Sequence, residues 1–176
     1  MSYFAAAVVC GPDGWAAYEL DLGGAADVEE VAEQLREVDP DAEKSLLFVE
    51  SDDTYLVILR LDKGEDLRVF GSDGAFAEES RLGALLLADL PQPALELDAL
   101  TTATVGATGV AGVPERPVAE PDADPVGDPD LLGDLGVPAA KLLGLCSQEG
   151  MLPADVTSEL CQAIGCGDEL EELREV

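Results

Sequence analysis

The chain has four thiols, Cys10, Cys146, Cys161 and Cys166, and no histidine. Without histidine there is no Ser-His or Cys-His nucleophile pair, and most catalytic zinc sites are excluded. A zinc site built from four thiolates needs tight ligand pairs. Here fourteen residues separate Cys146 from Cys161, four separate Cys161 from Cys166, and no CxxC occurs. Small buried hydrophobes are what such thiols usually are, and in a cytoplasmic chain they stay reduced. No GxGxxG or GxxxxGK[ST] loop offers a phosphate cradle. The expectation is therefore no catalytic residue, no cofactor and no metal.

Carboxylates are abundant: 38 Asp and Glu face 9 Lys and Arg, a formal net charge of −29. So many carboxylates make any single pair uninformative. Asp52-Asp53 sits in the polar turn Ser51-Asp52-Asp53 and reads as turn chemistry, or as an acidic contact point, before it reads as an acid/base pair. Asp122, Asp124, Asp128 and Asp130 lack the central Gly and terminal Glu of a calcium loop. A surface this negative excludes direct nucleic-acid binding and disfavours anionic membranes. It suits a basic protein partner, although the same charge also serves plain solubility. Trp15 is the one tryptophan; exposed it is an interface candidate, and covered it anchors a helix or the tail. Arg60, alone in an apolar run, is expected to reach an acidic neighbour across a sheet.

Apolar residues make up 47% of the chain and aromatic residues 5%, so a core of Leu, Val and Ala can be buried. Tyr3–Cys10 reads as a strand covered on both sides, turned by Gly11-Pro12-Asp13-Gly14 into an alternating strand over 15–22. In the second strand Ala16, Tyr18, Leu20 and Leu22 share one face; Trp15, Ala17 and Glu19 share the other. Asp27–Val38 reads as a helix with Asp27 and Glu30 as a capping box and Val28, Val31, Ala32, Leu35 and Val38 as its stripe. Strands at 45–50, 54–61 and 67–70 form a meander, and a helix follows over 74–90. The order ββαβββα predicts an α+β domain over residues 1–90, with a five-stranded antiparallel sheet and helices packed on it. That order resembles profilin-like and longin-like domains.

Residues 91–126 are rich in Pro and Gly without periodicity and read as an acidic linker. Residues 127–176 turn helical. Pro129 starts one short helix that carries Leu131 and Leu132, Pro138–Cys146 is a second, and Pro153 opens a third with Asp155 in its first turn. A bundle this small is marginal alone. Its leucines, Leu131 and Leu132 first among them, are expected to dock on the sheet domain or on a partner. No run reaches bilayer length and no basic residue precedes the first apolar run, so no membrane contact and a cytoplasmic location are expected.

Several motifs in order carry a resemblance: Met1-Ser2-Tyr3-Phe4-Ala5-Ala6-Ala7 followed by Asp13-Gly14-Trp15; Leu46-Leu47-Phe48-Val49-Glu50 followed by Asp52-Asp53; Arg68-Val69-Phe70-Gly71-Ser72-Asp73; Gly127-Asp128-Pro129-Asp130-Leu131-Leu132; and Glu149-Gly150-Met151-Leu152-Pro153-Ala154-Asp155. Together they resemble the actinobacterial tRNA adenosine deaminase-associated proteins. The resemblance implies association with the zinc deaminase that forms inosine at the tRNA wobble position, and supplies no catalytic residues. Such deaminases carry H-x-E and P-C-x-x-C, and this chain has neither. Three readings stand at this stage. The first is a non-catalytic accessory protein of the deaminase. The second is an acidic interaction module or nucleic-acid mimic for another basic partner. The third is an enzyme of unusual carboxylate or thiol chemistry.

Overall fold

Tyr3–Gly11 (β1) contains no charged side chain, and Lys44–Ser51 (β3) and Tyr55–Asp62 (β4) keep theirs toward the ends. Strands this apolar must be covered on both faces. The computed structural model describes residues 3–51, 55–63, 65–73, 79–87, 125–146, 148 and 150–175. In it, Gly14–Glu19 (β2) and Asp66–Gly71 (β5) flank the apolar strands, and the sheet is antiparallel in the order β2-β1-β3-β4-β5-β6. The α+β class with an antiparallel sheet agrees with the sequence reading. The strand number does not: the described residues form six, not five.

The sixth strand, Val126–Gly127 (β6), pairs with Gly71 and Phe70. Two residues carry no readable periodicity, and they follow directly on Pro125, at the end of a stretch that composition marks as a linker. What fixes β6 is close approach. Gly127 has φ +91°, and a Cβ there would lie 2.2 Å from the Val69 carbonyl oxygen. Only glycine accepts both conditions.

Side-chain alternation splits the sheet into two interiors. On one face Ala5, Ala7, Leu47, Val49, Val57, Leu59 and Val69 meet Val28, Val31 and Leu35 of α1 (Val28–Val38) and Leu86 of α2 (Arg81–Leu86). Asp27 caps α1: its Oδ1 accepts the Glu30 N–H at 3.0 Å, while Glu30 Oε2 accepts the Ala26 N–H at 2.9 Å. The helix expected over 74–90 is described only from 79 to 87, where Ser80 Oγ accepts the Gly83 N–H.

On the other face Ala6, Val8, Leu46, Phe48, Leu56, Ile58 and Phe70 meet the tail. The tail runs through a 3-10 turn at Gly133–Leu135 into α3 (Ala139–Cys146), α4 (Pro153–Ile164) and α5 (Gly167–Glu175). Leu131, Leu132, Val137, Leu142, Leu160 and Leu170 have no exposed surface. Each such side chain contributes about 1.5–3 kcal/mol relative to water. Helices too few to bury a core of their own thus complete one with the sheet.

Candidate interaction surface and its supporting clusters

Two ion pairs clamp the tail to its face of the sheet. Arg60, on β4, is 3% exposed. Its Nε donates to Asp62 Oδ1 at 3.0 Å and its Nη2 to Asp134 Oδ2 at 2.8 Å; Nη1 donates to Asp134 Oδ1 and to the Leu131 carbonyl. The arginine does not reach across the sheet as its sequence context led us to expect, because its cross-strand neighbours are Leu46 and Arg68. Its carboxylates come from the same strand and from the tail. Hydrogen bonds from Arg60, reinforced by its charge, hold the Asp134 carboxyl down at about 2, against the opposing pull of burial.

At the other end of β3, Glu50 is 5% exposed and accepts from Arg174 Nη2 of α5. Arg174 Nε has no hydrogen-bond partner among the described residues. The guanidinium instead lies 4.8 Å from the centroid of the Phe4 ring, whose π face attracts a cation. Sequence reasoning missed Asp134, Glu50 and Arg174. The available signal was a charged residue inside an otherwise apolar strand, which flags Glu50 as it flagged Arg60.

The thiols are free. Cys161 and Cys166 are fully buried on either side of the left-handed turn at Gly165 (φ +108°), where the Gly165 and Cys166 N–H groups both donate to the Cys161 carbonyl at 2.8 Å. That 6→1 closure brings the two side chains together as a hydrophobic staple. The hydrogen bond to Cys166, then burial, raises the Cys161 pKa, and burial pushes Cys146 up to about 12. Thiols so poorly ionised are structural rather than nucleophilic. Among the described residues no three His, Cys, Asp or Glu side chains gather as a metal site.

A cavity of about 160 Å³ opens between β1 and α2, lined by Tyr3, Leu22, Gly23, Ser51, Ser80, Arg81 and Leu82. Tyr3 donates to Asp21 Oδ1 at 3.1 Å and accepts the Leu22 N–H at 2.8 Å, and Tyr55 donates to Ser80 Oγ at 2.9 Å. The Tyr3 and Ser80 hydroxyls are thus engaged with the chain itself, and the volume is below the roughly 300–1,000 Å³ of ordinary ligand pockets.

Of the residues singled out in sequence, Trp15 is half-buried against the tail, its Nε1 beside the Gly165 turn. Leu131 and Leu132 are fully buried in the same cluster. The structure therefore gathers these three on one face. Asp52 and Asp53 lie outside the described residues, as does most of the stretch read as a linker.

The exterior carries the charge. Glu29, Glu30, Glu33 and Glu37 of α1 and Asp168, Glu171, Glu172 and Glu175 of α5 are exposed, while Arg60 and Arg174 are turned inward. No helix among the described residues is long and apolar enough to cross a membrane.

No curated protein and no solved structure matches the chain. A family model described as Rv3753c-like tRNA adenosine deaminase-associated protein matches residues 3–167. Because that match takes in the sheet, both helical layers and all but the end of the tail, the chain belongs to the Rv3753c-like tRNA adenosine deaminase-associated protein family.

Proposed function

We propose that the protein is a non-catalytic accessory subunit that binds a tRNA adenosine deaminase in the cytoplasm and tunes its access to tRNA. The observation that carries this reading is the family match over residues 3–167, whose description is association with that enzyme. Three features support it. The raised pKa values of Cys146 and Cys161 leave little thiolate for catalysis. A net charge of −29 opposes direct contact with RNA phosphates and attracts the basic surface that an RNA-modifying enzyme presents to its substrate. The element order through α2 resembles that of profilin-like and longin-like domains, which often serve as binding modules.

The test is to mix the two purified proteins at low salt and follow co-elution and inosine formation on tRNA. A complex that weakens as salt rises, with an altered deamination rate, is expected. Absence of any complex at low salt refutes the reading. The charge alone equally favours an acidic module, or a nucleic-acid mimic, for another basic protein. An unbiased pull-down that repeatedly returns such a partner, and no deaminase, selects that alternative.

A further inference from the structure

We infer that the partner adds a basic, extended segment to the free edge of β2. This rests on the reading above only for the partner's identity; the edge itself comes from the register. β2 is the first strand in the sheet order, so among the described residues one side of it faces no strand. Its pairing with β1 runs without interruption from Ala6↔Glu19 to Gly11↔Gly14, and the Leu20 N–H continues it by donating to the Ala5 carbonyl at 2.9 Å. Antiparallel bonding alternates. Gly14, Ala16 and Tyr18, like Leu20, therefore exchange their bonds with β1. Trp15, Ala17 and Glu19 turn their N–H and C=O groups the other way. Among the described residues none of these groups has a partner.

Sheet edges that must stay unpaired are blunted by Pro, Lys, bulges or a covering element. β2 has no Pro, no Lys and no break in register. Tyr18 beside the edge is 46% exposed, one of two large apolar side chains left so open among the described residues. The surroundings define the occupant. No Lys or Arg occurs between Cys10 and Arg36, and Asp13, Glu19 and Asp21 line the strand with exposed carboxylates. Helix α5, which packs against β2, exposes Asp168, Glu171 and Glu172, and its one arginine is spent on Glu50. A strand bearing Lys or Arg at alternate positions gains main-chain hydrogen bonds from the edge and ion pairs from its flanks. A second copy of this chain brings carboxylates to carboxylates and is opposed by the same charge.

The experiment reads backbone amide exchange in the full chain, alone and with the purified deaminase at low salt. In the free protein the Trp15, Ala17 and Glu19 amides exchange fast and those of Ala16, Tyr18 and Leu20 slowly. Binding is expected to slow the first three by about tenfold or more, leaving the alternate three unchanged, as new interstrand hydrogen bonds require. Ala17→Pro removes the central outward N–H without touching a β1 bond, and is expected to weaken binding about tenfold. Glu19→Lys does so by charge, and serves if the proline variant does not fold. A complex that leaves the three amides fast overturns the edge while sparing the partner reading. Slow exchange of those amides in the free protein shows an edge already covered, by this chain or a second copy, and also overturns it. If no complex forms, the partner reading fails; the edge is then probed with a synthetic peptide alternating Lys and Val, and lack of alternate-amide protection overturns it too.

Discussion

At Arg60 the chain places one of its nine basic residues where solvent cannot reach it, and its partner Asp134 half in water, 54% exposed. The asymmetry sets how the pair responds to pH. An Asp carboxyl ordinarily titrates at 3.8; here Arg60 holds it at about 2. Between those values the unfolded chain binds more protons than the folded one, so stability falls as pH falls. The contribution of Asp134 is complete above 3.8, fades as pH drops, and is gone below about 2. Solvent screening at so exposed a carboxylate keeps the effect modest. Trp15, the single tryptophan and packed against the tail, is a natural reporter. Unfolding followed by its fluorescence is expected to show wild type losing more stability than Asp134→Asn across the window from 3.8 to about 2. Identical profiles for the two proteins would mean that the pair does not hold the tail.

At the level of elements, what was legible followed periodicity. β1 to β5 and α1 declared themselves through alternation, continuous apolar runs and the Asp27–Glu30 cap, because each buries a repeating pattern. The five residues singled out as contacts divided by what surrounds them. Trp15 was open to two readings, an exposed contact or an anchor under a helix or the tail, and only the tail's place on the sheet shows it half-buried there. The exposure of Leu131 and Leu132 likewise could not be judged before the sheet's second face was seen to need them. The clamps were invisible because they join residues 74 and 124 positions apart. β6 was invisible because one glycine, not a pattern, makes it. Gly127→Ala forces a Cβ into the Val69 carbonyl and a side chain into a positive φ. We expect it to destabilise the protein by about 2–3 kcal/mol. Urea denaturation measures this, and a loss under about 0.5 kcal/mol would show that β6 is dispensable.

Across the whole molecule, attraction and repulsion come from different sources. Apolar burial holds the tail on the sheet, and charge works against it. Residues 126–176 carry 11 acidic and 2 basic side chains, and the remainder carries 27 and 7, so both parts are strongly negative. Without the tail, the face bearing Leu46, Phe48, Leu56, Ile58 and Phe70 is bare, an apolar patch that promotes aggregation. Residues 1–125 expressed alone are therefore expected to aggregate, and co-expression with 126–176 to return a soluble one-to-one complex. Salt then separates the forces. Screening over a Debye length of about 8–10 Å relieves the repulsion between the pieces. The Arg60 and Arg174 pairs each keep one side chain nearly buried and are screened less than fully exposed charges, so added salt is expected to tighten this internal assembly. The same salt loosens a complex with a basic partner. If moderate salt instead dissociates the two fragments, the tail is held by charge, and its buried leucines are not what keeps the second interior closed.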